Sequence, residues 1–122
     1  MSTLFIAWMR FLSHWPLPAL RALGHVLGLL LWMAVPGRRR IVQINLRLCF
    51  PQKSEAQIRQ LARAHFVQFA QSLLDRAWLW HAPLHLVEQR LKWVGSDLAM
   101  AQLAQEGPKI VFAPHFVGLD AG

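Results

Sequence analysis

A histidine and an aspartate near the end of the chain have the residue types of a proton-transfer pair. His115 and Asp120 directly follow the apolar run of residues 109–113 (KIVFA), which predicts a buried strand that stops at Pro114. The loops after such strands are where α/β folds bind their ligands. A carboxylate bonded to one imidazole nitrogen leaves the other nitrogen free to take a proton from a hydroxyl, which is general-base catalysis. The alternative is structural, with His115 at a strand end and Asp120 as a helix cap.

The other candidate sites are weaker. His81 and His85 have the spacing of a helical metal site, but Pro83 lies between them and favours a helix end and loop. His65 falls on the apolar side of a predicted helix, where a core histidine is the more common case. The single cysteine, Cys49, is expected to be a small buried residue. The sequence has no paired-cysteine signature, phosphate-binding glycine loop or Gly-x-Ser-x-Gly motif, so we predict no metal and no cofactor.

One long amphipathic helix is the clearest element that could position these residues. Residues 54–57 (SEAQ) read as a capping box, and apolar residues recur every three or four positions from Ile58 to Trp80, so the helix should end near Pro83. A short apolar run at 91–94 is closed by Gly95, and Ser96 or Asp97 could cap a second helix that ends near residue 107.

Residues 41–50 fit two kinds of element. They alternate apolar and polar from Ile44 onward, as in a strand, yet Ile41, Ile44 and Leu48 also share a helical face. The periodicity alone does not decide between a strand and a helix. The order helix, strand, helix, strand in the rest of the chain predicts an α/β domain whose sheet is only begun.

The N-terminal part has the composition of a membrane segment. Residues 22–37 carry no charge and lie between Arg21 and the cluster Arg38–Arg40, and the first 54 residues hold seven basic and no acidic residues. Extended back to residue 17, this run predicts a transmembrane helix, and residues 4–15 have the aromatic and basic mixture of a bilayer interface. The positive-inside bias places Arg38–Arg40 in the cytoplasm. The alternative is the buried helix of a soluble protein.

Composition limits the remaining function classes. The chain has 122 residues, of which 16% are charged, and a mean hydropathy of +0.30. Its net charge of +7 belongs to bases that flank an apolar run, which argues against nucleic acid as a partner. We divide the chain into residues 1–37, a membrane-interface and transmembrane segment, and residues 38–122, the start of an incomplete cytoplasmic domain. We therefore expect the N-terminal part of a longer protein.

Several of these features together resemble one protein family. They are the run Asn45-Leu46-x-x-Cys49-Phe50-Pro51, the long helix with Phe66 and Phe69, the step Val94-Gly95, and the strand that leads into Ala113-Pro114-His115-Phe116. In this order they resemble the bacterial lipid A biosynthesis acyltransferases (the lauroyl and myristoyl transferase family), which lie within the lysophospholipid acyltransferase group. The resemblance implies an N-terminal membrane helix followed by the beginning of an α/β domain, largely helical over these residues.

The resemblance also implies a reaction and its site. His115 would deprotonate a hydroxyl of a lipid A precursor or related lipid, the acyl donor would be an acyl-acyl carrier protein, and Asp120 would orient His115. The location would be the bacterial inner membrane, with membrane phospholipid as a partner and the catalytic domain on the cytoplasmic side. Many members read His-Phe-Gly-Asn-Trp-Glu where this chain has His-Phe-Val-Gly-Leu-Asp. The alternative is a non-catalytic membrane-anchored helical module or an inactive truncated product.

Overall fold

The computed structural model describes residues 3–92 and 94–110, and over these residues the chain is helical. The helices are α1 (Thr3–Ser13), α2 (Leu17–Ala34), α3 (Pro36–Cys49), α4 (Glu55–His81), α5 (Leu84–Arg90) and α6 (Ser96–Ala104). No strand forms among the described residues. The helical part of the expected architecture is thus present, and the sheet of the expected α/β domain stays a prediction.

Helix α4 is the framework on which the other long helices pack. Its N-terminus is the predicted capping box: the Ser54 hydroxyl accepts from the backbone N–H of Gln57, and the Gln57 side chain accepts from the backbone N–H of Ser54. It ends at His81, close to the predicted end. Its buried residues recur at three or four positions along its whole length: Ile58, Ala62, Phe66, Ala70, Leu74, Ala77 and Trp78. The predicted helix is confirmed, but Phe69, Leu73 and Trp80, which the apolar spacing placed on its buried face, are exposed.

Helix α2 lies antiparallel against α4 at very short range. Gly24 packs against Gln71, and Gly28, one turn further along α2, packs against Val67, which is one turn earlier on α4. A Cβ atom at Gly28 would lie 2.5 Å from the Val67 Cα atom. The two helices can therefore approach this closely only because glycine has no side chain.

At one end of α4, the helix α1 joins this pair in a small core. The buried cluster there contains Met9, Leu12, Leu20, Leu74, Ala77 and Trp78. The Arg90 guanidinium, on α5, donates to the Trp15 carbonyl oxygen at 3.2 Å and lies over the Trp78 ring. The beginning of α2 and both ends of the α1–α2 turn are therefore held on the C-terminal half of α4.

Residues 41–50 lie largely within helix α3, which resolves the two readings of their pattern. Pro36 at the first helical position starts α3. The half-buried Val42 of α3 lines one space with Leu31 of α2 and Phe66 of α4. A strand here would need a partner strand, and the described chain offers none. Cys49, expected to be buried, is exposed at the end of α3, so that prediction is wrong.

The predictions for residues 91–113 are partly confirmed and partly wrong. The short apolar run at 91–94 is the first strand of the predicted element order, but Leu91 and Lys92 are not in a strand. The sequence did not predict α5, which precedes them. Helix α6 is confirmed, but its N-cap is Gly95, with φ of 76°, rather than Ser96 or Asp97. A left-handed φ suits glycine and turns the chain sharply into the helix. Lys109 and Ile110 are exposed and not in a strand, and residues 111–113 lie outside the described residues.

Candidate functional site

The predicted catalytic pair, His115 and Asp120, lies outside the described residues. The proposed pairing of their side chains therefore stays a prediction. Of the weaker candidates, His81 is the last residue of α4 and His85 lies in α5, on the other side of Pro83. The proline thus divides the two histidines between separate helices, as the sequence indicated.

His65 is not a core residue as expected. Its side chain is exposed and lines an open cleft between α2, α3 and α4, with a volume of about 440 Å³. Leu31, Ile41, Phe66 and Phe69 supply apolar walls, and Arg38 is the other basic residue that lines it. We call this space the basic cleft. Volumes of a few hundred Å³ with apolar walls and a few polar groups are typical of small-molecule sites.

A second cleft continues the first along α4. It has a volume of about 410 Å³, and Leu31 lines both spaces. Its other walls come from three helices and are mainly apolar: Phe5 and Trp8 on α1, Leu27 on α2, and Leu73 and Trp80 on α4. We call it the apolar cleft. The two clefts adjoin at Leu31, and we call them together the trough.

Polar contacts fix α2 on α4 beside this trough. The Gln71 side-chain amide donates to the Arg21 carbonyl oxygen at 3.0 Å, and the Arg21 guanidinium lies 3.0 Å from an Asp75 carboxylate oxygen. The same oxygen accepts from the buried Trp78 indole N–H at 3.0 Å. The Asp75 carboxylate is therefore shared between α2 and the core, and it helps to hold α2 against α4.

A second ion pair closes the turn between α3 and α4. The Arg47 guanidinium donates two hydrogen bonds, each of 2.8 Å, to the two Glu55 carboxylate oxygens. These hydrogen bonds hold the pKa of Glu55 below its usual value of 4.5 and raise the pKa of Arg47. Since both side chains are open to solvent, the pair sets the direction of α3 more than it adds stability.

Large apolar side chains remain exposed on several helices. On α1 and α2 they include Leu4, Phe5, Trp8, Phe11, Val26, Leu30 and Met33, and on α3 and α4 Ile41, Ile44, Leu48, Phe69, Leu73 and Trp80. Only three of the 18 residues of α2 are buried, and its mean hydropathy is 1.5. By length and composition α2 is, within the described ranges, the helix able to cross a membrane. Exposed apolar area of this extent marks an interaction surface.

Two features of this site were missed from the sequence. The motif Gly24-x-x-x-Gly28 is a known signal for close helix contact, and reading it would have predicted that α2 packs on a partner helix. The basic cleft had no such signal, because residues 38 and 65 lie on different helices and only the packing of those helices brings them to one space.

The helical assembly thus combines an apolar trough, a basic turn and one helix that is long and apolar enough to cross a membrane. The family model of the bacterial lipid A biosynthesis acyltransferases matches residues 1–122, so the chain belongs to that family. The resemblance noted from the sequence is thereby confirmed.

Individual relatives agree with the family match. The chain is 28% identical over 107 residues to the lipid A biosynthesis lauroyltransferase of Escherichia coli (strain K12). It is 30% identical over 108 residues to the lipid A biosynthesis palmitoleoyltransferase of the same organism and to a lipid A biosynthesis acyltransferase of Shigella flexneri. Each match covers 88% of this chain and 35% of the relative, so the chain spans about a third of their length. No solved structure matches significantly.

Proposed function

We propose that the protein to which this chain belongs is an acyltransferase that moves a fatty acyl chain from acyl carrier protein to a hydroxyl of a lipid A precursor or related lipid. The observation that carries the proposal is the family match over residues 1–122, which includes both His115 and Asp120. The names of the relatives, a lauroyltransferase and a palmitoleoyltransferase of lipid A biosynthesis, support this substrate class.

The proposed mechanism uses the two residues as a unit. His115 takes the proton of the acceptor hydroxyl as its oxygen attacks the carbonyl carbon of the acyl thioester. The carbon–sulfur bond then breaks, an ester remains on the lipid, and the proton passes from His115 to the departing thiolate. Asp120 accepts a hydrogen bond from the other imidazole nitrogen, which fixes the tautomer and stabilises the imidazolium.

The proposed location is the inner membrane, with the catalytic domain in the cytoplasm. Residues 1–37 would form the membrane part, and residues 38–122 would begin the catalytic domain. Anionic headgroups attract arginines next to a membrane helix, and Arg38–Arg40 follow the end of α2 directly. A reporter fused after Gly122 should be active only in the cytoplasm. Activity in the periplasm would contradict this orientation.

The catalytic proposal is tested in the full-length protein. His115→Ala should lower kcat by at least about 100-fold, since a general base contributes a factor of about 10² to 10⁴. Membrane association should be unchanged. Asp120→Asn keeps the side-chain shape and removes its charge, so turnover should also fall strongly. Because the residues act together, the double variant should be little slower than His115→Ala.

The matched control is His85→Ala, which removes an exposed histidine on α5 and should leave kcat within about twofold of the wild type. Acyl transfer is followed with a labelled acyl-acyl carrier protein, and folding by circular dichroism in detergent. A well-folded His115→Ala protein with normal transfer would refute the proposal and favour the non-catalytic membrane module.

A further inference from the structure

Helix α3 begins with an unusual concentration of positive charge. Arg38, Arg39 and Arg40 are its third to fifth residues, and its first turn has no acidic residue and no side-chain cap. The backbone N–H groups at a helix start have no partner within the helix and add their own partial positive charge. Like charges therefore meet at the start of α3, and a bound anion would remove the repulsion.

The three arginines differ in what they contact. Arg39 donates to the Trp32 carbonyl oxygen at 3.4 Å and lies over the Trp32 ring, which ties it to α2. Arg38 lines the basic cleft with His65, and no described residue pairs with its guanidinium. Arg40 is exposed and does not line this cleft. Arg38 is thus the arginine available to a ligand in the cleft.

The chemistry of the basic cleft is that of an amphiphile site. Arg38 and His65 supply N–H donors that suit a phosphate group, and His65 retains at least one ring N–H in either protonation state. No carboxylate lines the cleft among the described residues, so nothing there competes for these donors. The apolar walls, with Ile41 and Phe69 about half exposed, suit a hydrocarbon chain.

The trough is also long enough for such a chain. His65 lies in the basic cleft and Trp80 lines the apolar cleft, 15 residues later on α4. At 1.5 Å per residue the two clefts extend over about 22 Å. One leaflet of a bilayer has a hydrocarbon depth of about 15 Å, half of the full core. The stretch of α4 that lines the two clefts is therefore longer than the hydrocarbon depth of one leaflet.

We propose that the basic cleft binds one anionic membrane phospholipid, with its phosphate on Arg38 and His65 and an acyl chain along the trough toward Leu31 and Phe69. This site goes beyond the proposed function, because it requires neither an acyl donor nor His115. It would hold α2, α3 and α4 in their arrangement at the membrane surface.

The test is native mass spectrometry of the full-length protein released from detergent micelles. The probes are phosphatidylglycerol and phosphatidylcholine with identical acyl chains, and no lipid acceptor or acyl donor is present. The wild type should retain one phosphatidylglycerol molecule in preference to phosphatidylcholine. Arg38→Gln should weaken phosphatidylglycerol binding by about tenfold, the value of one charge-assisted contact to phosphate, and adding His65→Gln should weaken it further.

Two matched controls distinguish binding in the basic cleft from general electrostatic attraction of anionic lipid to the protein. Arg40→Gln removes the same charge two residues away and should change binding by less than about twofold. Ile41→Trp fills the cleft and should weaken binding of both lipids, whereas Ile44→Trp, on the same helix but outside the cleft, should not. His115→Ala should bind phosphatidylglycerol as the wild type does, so failure of the catalytic proposal leaves this result unaffected.

Several outcomes would overturn the proposal. Equal loss of binding in Arg40→Gln and Arg38→Gln would reduce the effect to net charge. Competition by inorganic phosphate, with no effect of Ile41→Trp, would indicate a free phosphate site without an acyl chain. A protein that retains no lipid, and whose Ile41→Trp variant unfolds more easily, would indicate that a later part of the chain fills the cleft.

Discussion

The contact between α2 and α4 depends on Gly28 having no side chain. In Gly28→Ala the new Cβ atom would lie 2.5 Å from the Val67 Cα atom and 2.8 Å from the Phe66 carbonyl oxygen. Both are backbone atoms of α4, so no side-chain rotation can relieve the clash. The two helices must move apart.

The size of the effect follows from that movement. Ordinary van der Waals contact begins at 3.4 Å, so the helices must separate by about 1 Å at this point. A gap of that size loses about a quarter to a half of the attraction of each atom pair, and overpacking of this kind costs about 1–3 kcal/mol. The higher helix propensity of alanine returns up to about 1 kcal/mol. We expect a net loss of about 1–2 kcal/mol in the free energy of unfolding.

Denaturant unfolding of the protein in detergent, followed by circular dichroism, measures this change. Gly24→Ala should also destabilise, because its Cβ atom would lie 2.6 Å from the Gln71 Cγ atom and 2.9 Å from its Cα atom. The control is Gly37→Ala in α3, where no atom lies within 4 Å of the new Cβ and the change should be neutral or slightly stabilising. A Gly28→Ala protein as stable as Gly37→Ala would refute the close packing of α2 on α4.

Three further changes test other contacts of α4, two by the same denaturant unfolding and one by thermal unfolding at two pH values. Asp75→Ala should cost about 1–3 kcal/mol, because the buried Trp78 indole loses its acceptor; no loss would contradict that hydrogen bond. Ser54→Ala should cost about 1 kcal/mol through the lost cap, and an unchanged midpoint would show that α4 does not need it. Glu55→Gln should lower the melting temperature at pH 7 but not in acid. The pKa of Glu55 is depressed in the folded protein by Arg47, so its stabilisation is present above pH 4.5 and is lost as pH falls through the folded pKa. A difference from the wild type that is independent of pH would contradict this ion pair.

The sequence by itself determined the elements whose signals are local. The capping box at Ser54 and the regular apolar spacing after it specify α4, since backbone donors at a helix start and one apolar face are properties of neighbouring residues. The uncharged run before Arg38 specifies α2 in the same way. The order of motifs along the chain, rather than any single one, was enough to indicate the family.

Only the tertiary structure decided which surfaces meet. The pattern of residues 41–50 fits either a strand or a helix, and packing against α4 makes it a helix. His65 shares the apolar spacing of α4 but faces an open cleft, because the space between α2, α3 and α4 leaves its side of that helix uncovered. Arg38 and His65, 27 positions apart, line the same cleft because α3 packs on α4. Sequence periodicity tells which side of a helix is apolar, but the partner that covers it is set by shape, as at Gly28.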